Sequence, residues 1–127
     1  LLGHPYLVIG KVIEGEKRGR QLGFPTANLA LPLRKLLPHT GVYRGHIQWS
    51  SHTYPAMIYI GNKPTFGKYK THVEVHIPGF QGDLYGKTVK VLIEGKIRPD
   101  IKFSDKESLV AQIKKDIETA SAYGQNK

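Results

Sequence analysis

The segment from Gly15 to Gly23 sets three glycines among the cations Lys17, Arg18 and Arg20. Glycine lets backbone N–H groups turn toward one point, and ammonium and guanidinium groups beside them would complete a cradle for an anion. The spacing is not a Walker A motif, because Gly15 and Gly19 are four apart and Arg20 follows where Lys and a hydroxyl are needed. Nor is it the dinucleotide pattern Gly-x-Gly-x-x-Gly. Taken alone, a surface turn is the commoner reading of such a segment.

Just beyond it, Phe24-Pro25-Thr26-Ala27-Asn28 reads as extended chain, because the residue before a proline avoids the helical region. Thr26 and Asn28 are two apart, so on extended chain their side chains share a face. A hydroxyl and an amide oxygen are hard, neutral ligands of the kind Mg²⁺ accepts alongside waters and phosphate oxygens. On spacing alone, turn formation with neighbouring backbone groups is the favoured reading.

His72, Glu74 and His76 alternate with Val73, Val75 and Ile77. A strand would put the apolar set in the core and the polar set on the other face. Two histidines four apart on a strand are about 13 Å apart, too far to share one metal ion with Glu74. A general base needs only one carboxylate near the proton it removes, and Glu74 can be that group.

Elements of short period must position these side chains. Strand patterns are predicted over Tyr6–Ile13, Gly41–Ser50, Thr53–Ile60, Thr71–Ile77 and Thr88–Ile97. Turn residues separate them at Gly61-Asn62, Pro64, Gly67, Pro78-Gly79 and Gly82-Asp83, and Asp83-Leu84-Tyr85-Gly86 reads as a turn with an aromatic. Residues 31–40, with Pro32 and Pro38, read as a covering loop. Short strands at this spacing argue for an antiparallel barrel or sandwich. The period changes near the C-terminus. Ser104 with Glu107 forms a capping-box pattern, and Leu109, Ile113, Ile117 and Ala120 recur at helical spacing up to Gly124.

The chain has 127 residues, 39% of them apolar, which suits one domain with one core. No apolar run reaches the ~18–20 residues of a membrane-spanning helix. Cysteine is absent, which removes disulfides, thiolate metal sites and thiol nucleophiles, and fits a reducing compartment. The formal charge is +9, from 19 Lys and Arg against 10 Asp and Glu. The excess sits in the N-terminal two-thirds; a solvated surface accounts for it as readily as attraction of a polyanion, and the cluster of Lys17, Arg18 and Arg20 among glycines favours a local anion site over a uniform coat.

Several segments together closely resemble the signature of the riboflavin kinase (flavokinase) family. They are Gly10-Lys11-Val12, Gly15, Gly19 through Asn28 with its Pro-Thr-Ala-Asn element, Ile60 to Phe66, Val73 to His76, Gly82 to Gly86 and Arg98 to Phe103. Gly3-His4-Pro5-Tyr6 is similar to the join to the kinase half of bacterial bifunctional FAD synthetases. That likeness and the absence of an initiator Met lead us to expect a C-terminal domain from a longer protein with an N-terminal FMN adenylyltransferase domain.

The resemblance implies a mainly β fold, a six-stranded antiparallel Greek-key barrel over about residues 6–103 with a helix over about 105–122. The whole of 1–127 would be one kinase domain. It would transfer the γ-phosphate of ATP to the 5′-hydroxyl of riboflavin, giving FMN and ADP. By motif, Glu74 is the expected catalytic base. Gly15, Lys17, Arg18, Gly19, Arg20, Gly23, Pro25, Thr26 and Asn28 are expected at the nucleotide phosphates. Thr26 and Asn28 would hold Mg²⁺, and Arg98 and Phe103 would be near the flavin. Neither nucleic acid nor a membrane is an expected partner, and the expected location is the cytoplasm.

Two other readings use the same residues. A small barrel that binds single-stranded nucleic acid would use the +9 charge with Trp49, Tyr43, Tyr54 or Tyr59 as stacking platforms. Those aromatics lie mostly in strand interiors, where core packing is the commoner role. A flavin-binding module without catalysis would bind riboflavin but not turn it over.

Overall fold

The computed structural model describes residues 5–13, 25–31, 37–65, 68–80 and 82–125, with side chains in those ranges except at 63–65, 68–70 and 123–125. Six strands form: β1 (Tyr6–Ile13), β2 (Ala27–Ala30), β3 (Gly41–Trp49), β4 (His52–Thr65), β5 (Lys68–His76) and β6 (Thr88–Pro99). All neighbouring pairs are antiparallel and they close into a barrel in the order β1-β2-β5-β4-β3-β6. Closure gives each of the six strands a partner on both sides over part of its length.

The period of two decides which residues face inward. Val8, Val12, Leu29, Ile47, Ala56, Ile58, Ile60, Val73, Val75, Val89, Val91 and Ile93 fill the interior. On β1 the outward set is also apolar, so Leu7, Ile9 and Ile13 stand exposed while Val8 and Val12 are buried. Leu31 and Leu37 pack against the core at one end of the barrel, and Trp49, Tyr54 and Phe80 pack against it at the other. Trp49 stacks on Tyr54 at 5.1 Å, with Phe80 edge-on to both. Tyr43, fully buried, donates its hydroxyl to the His39 carbonyl at 2.5 Å. Burial raises its pKa, because the phenolate would lose its hydration.

The pairing of β3 with β6 slips between Arg44 and Gly45. A Cβ at Gly45 would lie 1.8 Å from the Leu92 carbonyl oxygen, so only glycine permits this close approach.

Helix α1 (Lys106–Gln125) lies on the outside of the barrel. Ala120 is buried with Val42 and Met57, and Ile113, Ile117, Ile97 and Tyr59 pack around them. The cap differs from the Ser104–Glu107 box expected from sequence. Asp105 accepts from the Ser108 N–H at 2.7 Å and from the Ser108 hydroxyl at 3.0 Å, so it is the N-cap. Its carboxylate outcompetes the neighbouring hydroxyl as acceptor.

The expected turn at Gly61-Asn62 and Pro64 is also corrected. β4 runs on through these residues, paired from Gly61↔His72 to Thr65↔Lys68. Leu84 is buried in the core, while Asp83 accepts from the Tyr85 N–H at 2.8 Å and Gly86 N–H donates to the Val12 carbonyl at 2.9 Å. The 82–86 turn is thereby tied to β1.

Candidate active site

The short strand β2 and the middle of β5 bring the candidate residues together. Asn28 pairs with Glu74, and Glu74 pairs on its other side with Tyr59 of β4. Val73 and Val75 point into the core, which turns Glu74 onto the outer wall as its spacing predicts. Thr26, just before β2, donates its hydroxyl to Glu74 Oε1 at 3.0 Å. His72 Nε2 lies 3.0 Å from Glu74 Oε2. The carboxylate can only accept, so Nε2 carries the proton in this pair.

His76 does not join this pair. It is buried, and its Nδ1 lies 2.7 Å from the Pro25 carbonyl, so it donates there and fixes the chain just ahead of Thr26. Pro25 restricts the same stretch through its fixed φ.

Tyr59 closes the other flank. Its ring meets the His72 ring edge-on at 5.6 Å, and its hydroxyl donates to Asp100 at 2.9 Å. Gly61 lies opposite His72, and a Cβ there would come within 2.6 Å of the Tyr59 ring. Glycine at 61 therefore lets the ring lie across the strand. No signal of residue type marks Tyr59 or Asp100 as site residues; the clue in sequence is the Tyr-x-Gly spacing on one strand face.

Arg98 and Phe103 lie on the segment from β6 into α1. The Arg98 Nε donates to both Asp116 oxygens at 3.1 and 2.9 Å, its Nη2 approaches Oδ2 at 2.9 Å, and its Nη1 reaches the Pro99 carbonyl at 3.2 Å. Phe103 lies against the guanidinium at 5.5 Å. The pair thus fixes the course of the segment. Asp116 sits on the apolar stripe of α1, between Ile113 and Ala120, and that misplaced polar residue is the signal sequence reasoning passed over. Gly15, Lys17, Arg18, Gly19, Arg20 and Gly23 lie outside the described residues.

The donor set bears on a metal. Among the described residues no three His, Cys, Asp or Glu side chains are grouped to cage an ion. Thr26, however, directs its hydroxyl hydrogen at Glu74, so its oxygen lone pairs are left to meet a cation. With Asn28 two residues on, this fits a hard ion that shares its shell with water and phosphate. A carboxylate aligned beside such donors can take a proton from a hydroxyl next to a phosphate chain. The site thus sets a carboxylate beside a hydroxyl and an amide on the outer wall of a closed antiparallel barrel.

Comparison with known proteins specifies the class. A family model described as "Flavokinase: Riboflavin kinase" matches residues 2–124. The bifunctional riboflavin kinase/FMN adenylyltransferase of Pseudomonas fluorescens is 40% identical over 123 residues, covering 96% of this chain and 39% of that protein. A riboflavin kinase from Trypanosoma brucei superimposes with a TM-score of 0.65 at 27% identity, over 96% of this chain and 78% of that one. A Streptococcus pneumoniae structure described as a macrolide-efflux protein superimposes with a TM-score of 0.85 at 40% identity, over 94% of this chain and 40% of that one. Among the described residues here, no helix is long and apolar enough to cross a membrane. The chain belongs to the riboflavin kinase family. It spans about two-fifths of the length of the bifunctional relatives it matches.

Proposed function

We propose that this domain moves the γ-phosphoryl group of ATP to the 5′-hydroxyl of riboflavin with Glu74 as general base. The observation that carries the assignment is the Glu74 carboxylate, oriented by Thr26 and His72 and flanked by Asn28. Phosphoryl transfer asks the protein mainly for positioning and charge neutralisation. The ribityl oxygen attacks the γ-phosphorus, the bond from phosphorus to the bridging oxygen breaks, and ADP leaves. Glu74 takes the hydroxyl proton as the new O–P bond forms. Thr26 and Asn28 would hold Mg²⁺, which when bound offsets charge on the β- and γ-phosphates. The Gly15–Gly23 segment, with Lys17, Arg18 and Arg20, is assigned to the phosphates by motif. Arg98 and Phe103 are assigned to the flavin side by motif, with Arg98 acting through the placement of its segment.

The test is Glu74→Gln, assayed by formation of FMN from riboflavin and MgATP. The expected result is a kcat lower by ~10²–10⁴-fold with ligand binding retained. Unchanged turnover would remove Glu74 from this role. By likeness to the bifunctional relatives, we further propose a cytoplasmic protein in which an FMN adenylyltransferase part shares the polypeptide. This domain alone should then stop at FMN and make no FAD.

A further inference from the structure

A general base must present its carboxylate in one orientation, and a Glu side chain has three torsions along which to drift. Thr26 restrains one oxygen of Glu74 and His72 the other, each at 3.0 Å. The two side chains of the His72–Glu74 pair are 22% and 18% exposed, so the bond is partly desolvated and stronger than one in open water. His72 is itself held. Its ring meets the edge of Tyr59, Tyr59 is anchored by Asp100, and Tyr59 also packs against the α1 cluster. Its Nδ1 is buried without a hydrogen-bond partner among the described residues.

We infer that His72 is a positioning residue for the reaction: its Nε2–H, braced by Tyr59 and Asp100, fixes the plane of the Glu74 carboxylate. This rests on the reading of Glu74 as the base. The mechanical consequence is that the 98–103 segment bears on the orientation of the base through Asp100, Tyr59 and His72.

The experiment compares steady-state kinetics of His72→Phe, His72→Gln and Tyr59→Phe with the unsubstituted domain, together with Glu74→Gln. Phe keeps the ring and loses the donor, whereas the Gln amide reaches as far as Nε2 and keeps an N–H. The expected outcome for His72→Phe is a kcat lower by ~10–10²-fold, with KM for riboflavin and for MgATP within about twofold. His72→Gln should recover most of that loss, and Tyr59→Phe, which removes the hydroxyl that meets Asp100, should cost a few-fold. In the Glu74→Gln background, His72→Phe should cost nothing further, because the group it positions has gone. Thermal midpoints check folding, and if His72→Phe does not fold, His72→Asn, too short to reach Glu74, takes its place. A donor-free variant with undiminished kcat, or equal losses in it and in His72→Gln, would overturn the inference. If Glu74→Gln is itself fully active, the failure belongs to the base assignment instead.

Discussion

Asp116 and Glu74 are both carboxylates on the outside of the barrel, and their donors differ in kind. Asp116 is 1% exposed, with three contacts from the Arg98 guanidinium and one from the Gln112 amide at 3.1 Å. Its charge is matched by a cation and its lone pairs are taken up. Glu74 is met on one oxygen by a hydroxyl and on the other by an imidazole. A hydroxyl and a ring N–H each give this carboxylate one hydrogen bond, and the two together orient it. A guanidinium fork would hold the group as firmly and would suppress its basicity. On the proposed function, the same functional group serves as a strut at one place and as a reagent at the other.

Replacing Arg98 by Met should break the strut. The substitution leaves Asp116 buried without its counter-ion, and the loss expected on removing one partner of a buried pair is about 3–5 kcal/mol. Urea denaturation measures it. Glu74→Gln, by contrast, should move the denaturation midpoint far less while lowering kcat. If both variants lose stability equally, the distinction between strut and reagent fails.

Thr26→Ala sharpens the other half. It removes one restraint on Glu74 and one of the two oxygens assigned to the metal. MgATP binding should weaken by about tenfold or more, as expected when an ordering hydrogen bond to a charged group is lost, while riboflavin affinity changes little. Calorimetric titration with each ligand separates the two. Equal loss for both would place Thr26 outside the phosphate site.

How far this site was legible depends on the range of the interaction. Alternation around Glu74 settles which face it occupies, because Val73 and Val75 must be buried. Its bond to Thr26 spans 48 positions and exists only because β2 pairs with β5 in one register. No local pattern encodes that register, and the resemblance to a known family supplied the grouping. The fold shows the same division. Strand periods and the amphipathic helix are local and readable. Gly61-Asn62 and Pro64 read as a turn because those residues are turn formers, yet cross-strand pairing with β5 carries β4 through them. Asp116 could be seen on an apolar stripe, but its partner on β6 could not.

Gly61→Ala acts on the reagent side alone. The new Cβ would meet the outer half of the Tyr59 ring, which must swing away. The end of a tyrosine side chain can move, so the cost in stability should be at the low end of overpacking, about 1 kcal/mol. A functional effect of similar size should accompany it, because the displaced ring loses Asp100 and its edge on His72. We expect kcat to fall by the same few-fold as in Tyr59→Phe. A stability loss with full turnover would mean that Tyr59 merely packs.

The smallest effect concerns a third carboxylate, Asp105, which is fully exposed and caps α1. Hydrogen bonds from the Ser108 N–H and then the Ser108 hydroxyl stabilise its ionised form and lower its pKa below the ordinary 3.8. A lowered folded pKa means that the folded chain binds this proton less readily than the unfolded chain. The contribution of the cap is therefore complete above about pH 4 and is lost as pH falls through the lowered value. Water screens so exposed a group, so the change should be slight beside that of Arg98→Met. Asp105→Asn keeps an oxygen for the Ser108 N–H but has no charge to titrate. Thermal midpoints of the two proteins, followed from about pH 5 to about pH 2, should converge toward the acid end. Parallel curves would assign the acid sensitivity of the helix to other groups and leave Asp105 a cap by shape alone.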